Sequence, residues 1–267
     1  MEISGKYYYC NKVYLNPMYC VSGRCDYKVK RMAQMKLISI GGGGFTHSSH
    51  PDLDTFCLRH TVPNPRIGFV GVASGDNQTK INRFYQHFEH CGATLDHLPL
   101  TACDTLVAQW LESVDLVYFG GGNTARMIEH FETNGWSVPL MQAARRGVTM
   151  AGVSAGGVFW FEWCLSNAKG NGLQPLRGLG LLRGGICPHY SSEPLRQSSL
   201  RAAVRENTMP TSYAIDDGAA MVFGADTVID LCSAAPGAGC YQISGGQETT
   251  HQTRAVSLGD RHLGLLD

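Results

Sequence analysis

From residue 35 onward, short apolar runs alternate with segments whose apolar residues recur at helical spacing. "KLISIGGGG", "RIGFVGVAS", "ATLDHLPL", "DLVYFGGGN" and "VTMAGVSAG" read as strands, several running straight into glycine-rich turns. "TKINRFYQHFEHCG", "DTLVAQWLESV", "TARMIEHFETNG" and "VPLMQAARRG" read as helices, three of them closed by glycine. "GGVFWFEWCL" predicts one more helix behind "VTMAGVSAG". Alternation of this kind predicts an α/β fold with a doubly wound, mostly parallel sheet in three layers. After Gly178 the pattern changes. "GLGLLRGGICPHYSSEP" and "TSYAIDDGAAMVFGADTVIDL" predict shorter strands with turns, antiparallel at one side. No linker or repeat interrupts this stretch, so residues 35–267 are expected to form a single domain. Ligands of such sheets bind at the carboxyl ends of the strands. There the loops "IGGGGF", "FGGGNT" and "GVSAGG" would lie along one edge.

Residues 1–34 are rich in Tyr and Cys and lack both a period and the apolar core of a secretory signal. They are expected to be an N-terminal extension of unknown role. Across the chain 43% of residues are hydrophobic and 16% charged, the balance of a globular protein. The 22 basic and 22 acidic residues cancel and form no like-charge block, which argues against nucleic acid or an anionic membrane as partner. No run approaches the length of a membrane span. The 10 cysteines include no C-x-x-C pair. They read as small buried thiols of a cytoplasmic protein. Cys10, Cys20 and Cys25 cluster but have no second Cys/His pair at zinc spacing, so no metal is expected. "IGGGGFTH" lacks the spacing of a dinucleotide loop and reads as a substrate-side loop. No organic cofactor is expected either.

The candidate chemistry sits in "GVSAGG". Gly152, Ser154 and Gly156 fit G-x-S-x-G, with a strand before and a helix start after. A nucleophile on so sharp a turn needs small neighbours, and the turn aims free backbone N–H groups at the site. A second oxyanion donor could come from Gly121 or Gly122 of "FGGGNT". In the same loop Asn123 is a candidate substrate contact or, with Thr124, a helix cap. Of ten histidines, His189 in "GGICPHYSSEP" follows an apolar strand and a proline. It is therefore expected near the sheet edge, where a base for Ser154 is needed.

The stretches "FGGGNT", "GVSAGG", "GLGLL", "CPHY" and "YAIDDGAA", in that order, resemble the peptidase E or aspartyl dipeptidase family of serine peptidases, to which cyanophycinases are related. The resemblance covers nearly all of residues 35–243. It implies a fold similar to class I glutamine amidotransferases, with serine in place of their cysteine. It implies a Ser154–His189 pair that hydrolyses short peptides through an acyl-enzyme, with Gly122 and Ala155 as oxyanion donors. Dipeptides with N-terminal Asp are the expected substrates, and a monomer or homodimer is expected. An arginine downstream of the histidine would grip the substrate carboxylate, which nominates Arg196, then Arg201.

The family often places an acid a short way after the serine, and here "LSNAKGNGL" offers only Asn167. Asn167, Glu162 and Glu193 are the candidates for the group that orients His189. Asp216 and Asp217 could bind a substrate amino group or cap a strand. Two other readings remain. An α/β-hydrolase esterase would draw its base from His251 or His262, and a homologue lacking the third triad member would bind without catalysing.

Overall fold

The computed structural model describes residues 35–255 except Asp226. Residues 1–34, with Cys10, Cys20 and Cys25, and the tail carrying His262 lie outside them. The strands are β1 (Leu37–Ile40), β2 (Arg66–Val70), β3 (Thr94–Leu98), β4 (Leu116–Phe119), β5 (Thr149–Val153), β6 (Phe161–Ser166), β7 (Gln174–Arg177), β8 (Leu182–Cys187), β9 (Ser212–Ile215), β10 (Ala219–Phe223), β11 (Val228–Ser233), β12 (Cys240–Ser244), β13 (Gln247–His251) and β14 (Arg254–Ala255). The helices are α1 (Asp52–Leu58), α2 (Gln78–Phe88), α3 (Asp104–Ser113), α4 (Thr124–Thr133), α5 (Ser137–Arg146), α6 (Ala155–Val158) and α7 (Arg196–Arg205).

An eight-stranded sheet runs in the order β14-β11-β10-β1-β5-β4-β2-β3. Its β1-β5-β4-β2-β3 half is parallel, while β10 joins β1 and β11 antiparallel. The apolar runs are continuous because both faces are covered. In β4, Leu116 and Tyr118 face Phe56 of α1 and Phe84 of α2, whereas Val117 and Phe119 face Trp110, Phe131 and Leu140 of α3, α4 and α5. Two helical layers thus sandwich the sheet. In α2, Ile81, Phe84 and Phe88 form the buried stripe, and Asn77 caps the first turn. No helix among the described residues is long and apolar enough to cross a membrane.

The six-stranded second sheet, β13-β12-β9-β8-β6-β7, is mixed, with β6, β8 and β9 parallel. One face shares the main core through Phe161, Cys164 and Ile186, and the other packs Leu165 against Leu200 and Val204 of α7. The helix expected over "GGVFWFEWCL" is corrected here. Only Ala155–Val158 is helical, and Phe161–Ser166 is strand β6. The run is short and rich in aromatic residues, which favour strands, and period alone cannot separate a buried strand from a buried helix. Partners outside the run decide it, since β6 pairs with β7 and β8.

Candidate active site

β5 ends at Val153, and the chain reverses through Ser154 at φ 52°, ψ −120°. That conformation is costly for a residue with a side chain and persists only when its surroundings enforce it. Here the Ser154 N–H donates to Ile40 O at 2.9 Å, and Gly157 N–H donates to Ser154 O at 2.9 Å. Gly152 and Gly156 permit the close packing. A Cβ on Gly156 would overlap the Phe119 carbonyl, and one on Gly152 would overlap Gly156 O. The elbow therefore explains both glycines of G-x-S-x-G sterically.

Ser154 Oγ lies 2.8 Å from His189 Nε2, and His189 Nδ1 lies 2.6 Å from Asp217 Oδ1. An ionised carboxylate only accepts, so Nδ1 carries the proton it donates to Asp217. Nε2 is then left to accept from the serine hydroxyl. Burial by itself pushes the Asp217 carboxyl up. Hydrogen bonds from His189 and Ser192, with the positive potential of His189 and His47, more than offset this and hold it below the usual carboxylate range.

The residues around this chain of contacts hold it from both sheets. His189 follows the end of β8. Its loop is fixed by Tyr190 N–H to Ile215 O at 3.1 Å and by Ser191 N–H to Asp216 Oδ1 at 2.9 Å. Asp216 is buried and also accepts from Gly239 N–H and the Tyr241 hydroxyl. Successive side chains of an extended segment point to opposite sides. So of the "DD" doublet Asp216 anchors loops while Asp217 reaches His189. Gly42 bridges to Asp217, and a Cβ there would overlap the Asp217 carboxylate. The loop carrying Gly42 and His47 is tied down by Asp54, which accepts from Phe45 N–H and the Tyr118 hydroxyl and pairs with His87.

Several expectations are corrected by this geometry. Asn167 is exposed in a turn closed by Gly170 N–H to its carbonyl. Glu162 lies on β6 and accepts from Gly184 N–H at 3.0 Å. Neither faces His189, whose carboxylate partner is Asp217. Glu193 is engaged by Arg196 at 2.6 and 2.7 Å. Arg196 is itself buried and also donates to Leu165 O, so its guanidinium is consumed inside the protein and does not await a substrate. Asn123 caps α4 through Arg126 N–H, and its amide N–H donates to Ala168 O. Both ends of that side chain are thus occupied. His251, on β13, is not the imidazole at Ser154.

Gly121 and Ala155 do flank Ser154. A Cβ on Gly121 would sit 3.3 Å from Ser154 Cβ, Gly122 follows at the surface, and Ala155 opens α6. His47 is an addition that sequence reasoning did not single out, beyond placing its loop on the substrate side. Its ring centroid is 6.1 Å from that of His189, and its Nδ1–H donates to Gly43 O at 3.1 Å. Partial burial, then the nearby His189 and Lys80, lower its pKa against the opposing pull of the Gly43 carbonyl. The imidazole beside His189 is therefore held toward its neutral form.

A serine on a strand-to-helix elbow, facing an imidazole backed by a carboxylate at the carboxyl edge of a parallel sheet, defines the α/β serine hydrolase class. The sequence pattern of Peptidase family S51 matches residues 33–231, and the chain belongs to that family. It is 35% identical over 235 residues to the uncharacterized peptidase YgaJ of Bacillus subtilis (strain 168), covering 86% of this chain and 99% of that one. Among solved structures, a peptidase from an acI-B1 Actinobacterium superposes with TM-score 0.59 at 16% identity, covering 83% of this chain and 96% of the other. A peptidase E protein from Listeria monocytogenes EGD-e superposes with TM-score 0.57 at 17% identity, covering 76% and 100%. The shared fold is the class I glutamine amidotransferase-like one.

Proposed function

We propose that this chain hydrolyses short peptides by acyl transfer through Ser154, with His189 as general base and acid and Asp217 as the orienting carboxylate. The observation that carries the reading is the continuous contact Ser154–His189–Asp217 at 2.8 and 2.6 Å. His189 Nε2 takes the hydroxyl proton as Oγ attacks the scissile carbonyl, and imidazolium forms. Backbone N–H groups of Gly122 and Ala155 receive the developing oxyanion. The tetrahedral intermediate collapses as imidazolium protonates the leaving amine. Water, deprotonated by the same nitrogen, then releases the acyl group and restores Ser154.

Asp217 supplies the charge that a homologue without a third member would lack, which favours catalysis over binding alone. Preference for dipeptides with N-terminal Asp rests on the family resemblance, now without Arg196 as its reader. The test is a panel of dipeptides with varied N-terminal residues, run with wild type and Ser154→Ala, alongside labelling by a fluorophosphonate. Hydrolysis and labelling are expected in wild type and absent in Ser154→Ala at unchanged circular dichroism. Turnover retained in Ser154→Ala would sink the serine mechanism, and equal rates across the panel would remove the Asp preference.

A further inference from the structure

The loop carrying Gly122, the oxyanion donor of the reading above, is gripped by a cation. β4 delivers Gly120–Gly122 to the site edge, and most of this turn is satisfied by main chain. Gly120 N–H donates to Val70 O at 3.0 Å and Asn123 N–H to Ala73 O at 2.8 Å. The Gly121 carbonyl instead accepts from Lys80 Nζ at 2.8 Å. The Gly121 carbonyl and the Gly122 N–H belong to one peptide unit, and the described chain has no cis peptide bond. In a trans unit these two groups point to opposite sides. Whatever fixes the carbonyl therefore aims the N–H.

We propose that Lys80 is a positioning residue for catalysis, holding and polarising the Gly121–Gly122 peptide so that the Gly122 N–H meets the oxyanion. The inference rests on the peptidase reading above. Lys80 occupies the first turn of α2, where a cation opposes the helix dipole, so helix stability does not account for it. A charged donor on a carbonyl makes a stronger bond than a neutral one and strengthens the N–H at the other end of the same peptide. Burial, then Arg83 on the same helix, pull the Lys80 pKa below its ordinary value, and His47 faces it from the neighbouring loop. Raising the pH removes the ammonium charge earlier than for an exposed lysine.

The experiment compares wild type with Lys80→Met, Lys80→Gln and Lys80→Arg on a peptide that wild type cleaves, with melting temperature and phosphonate labelling measured in parallel. Lys80→Met is expected to lower kcat roughly ten- to a hundred-fold, less than deletion of a whole oxyanion donor, with KM nearly constant. Lys80→Gln, a neutral donor, should recover part of the loss and Lys80→Arg most of it. Wild-type kcat should fall at alkaline pH, and this fall should move to higher pH in Lys80→Arg because guanidinium stays charged. Unchanged kcat in Lys80→Met, or a rise in KM alone, overturns the proposal. If Lys80→Met fails to fold, the alkaline comparison decides, and identical alkaline limbs in wild type and Lys80→Arg overturn it. A wild type inert to both peptides and phosphonate overturns the peptidase reading and this inference with it, whereas an active wild type with an indifferent Lys80→Met removes this inference alone.

Discussion

Replacing Asp217 by Asn tests the reading of the site most directly. The substitution preserves shape and removes the charge 2.6 Å from His189 Nδ1. An amide can also turn its NH₂ toward the ring, which forces Nδ1 to accept and places the imidazole proton on Nε2. That proton then faces Ser154 Oγ, and the base is lost. In a fully buried triad the same change costs about ten-thousand-fold in kcat. The Asp217 side chain is 40% exposed, so water screens part of its charge. A fall of about a hundred- to ten-thousand-fold is expected, or about 3–5 kcal/mol of transition-state stabilisation. Steady-state kinetics on one cleaved peptide, with KM resolved from kcat, reads it out. Asn167→Ala, at an exposed turn away from the imidazole, should stay within about two-fold of wild type. An Asp217→Asn enzyme with near-normal kcat, or a crippled Asn167→Ala, would refute the reasoning. The stability of wild type and Asp217→Asn should diverge with pH as well. The folded Asp217 pKa is lowered, so its contribution is full above the unfolded carboxylate value and is lost as pH falls through the folded one. The Asp217→Asn variant lacks this increment at neutral pH, and its deficit should vanish in acid.

Two further outcomes follow from neighbouring residues. Gly42→Ala should fold with lowered activity, because its Cβ needs the space of the Asp217 carboxylate, and a fully active variant would show that the relay tolerates displacement. Arg196→Gln should lower the melting temperature by several degrees, consistent with about 1–3 kcal/mol for losing a buried cation whose partner Glu193 remains partly hydrated. It should do so without selectively raising KM for Asp-X dipeptides, and a selective rise would restore Arg196 as a substrate reader.

Much of this site could be read locally. The elbow declares itself within five residues, because steric demand at Gly152 and Gly156 acts on near neighbours. The parallel strands are legible because two-sided burial leaves continuous apolar runs such as "LVYF". His189 was findable as an imidazole placed just beyond an apolar strand. Asp217 was not, since the acid lies 28 residues from its histidine and a pair of adjacent aspartates carries no mark of which one turns inward. "FWFEWCL" misled for the related reason that its strand partners arrive later in the chain. Arg196 misled because a guanidinium placed to grip a substrate carboxylate and one already holding Glu193 look alike in sequence.

Ser154 extends from the eight-stranded sheet, His189 from the six-stranded one, and Asp217 sits in the link from β9 to β10, between the two. β10 enters the large sheet between β1 and β11, pairing Leu37 with Phe223 across almost the whole described chain. The pairing that seats β10 beside β1 is thus the one that sets the carboxylate beside the imidazole. The contact between carboxylate and imidazole therefore hangs on a pairing between the two ends of the described chain, which Gly42 continues by bridging to Asp217 itself.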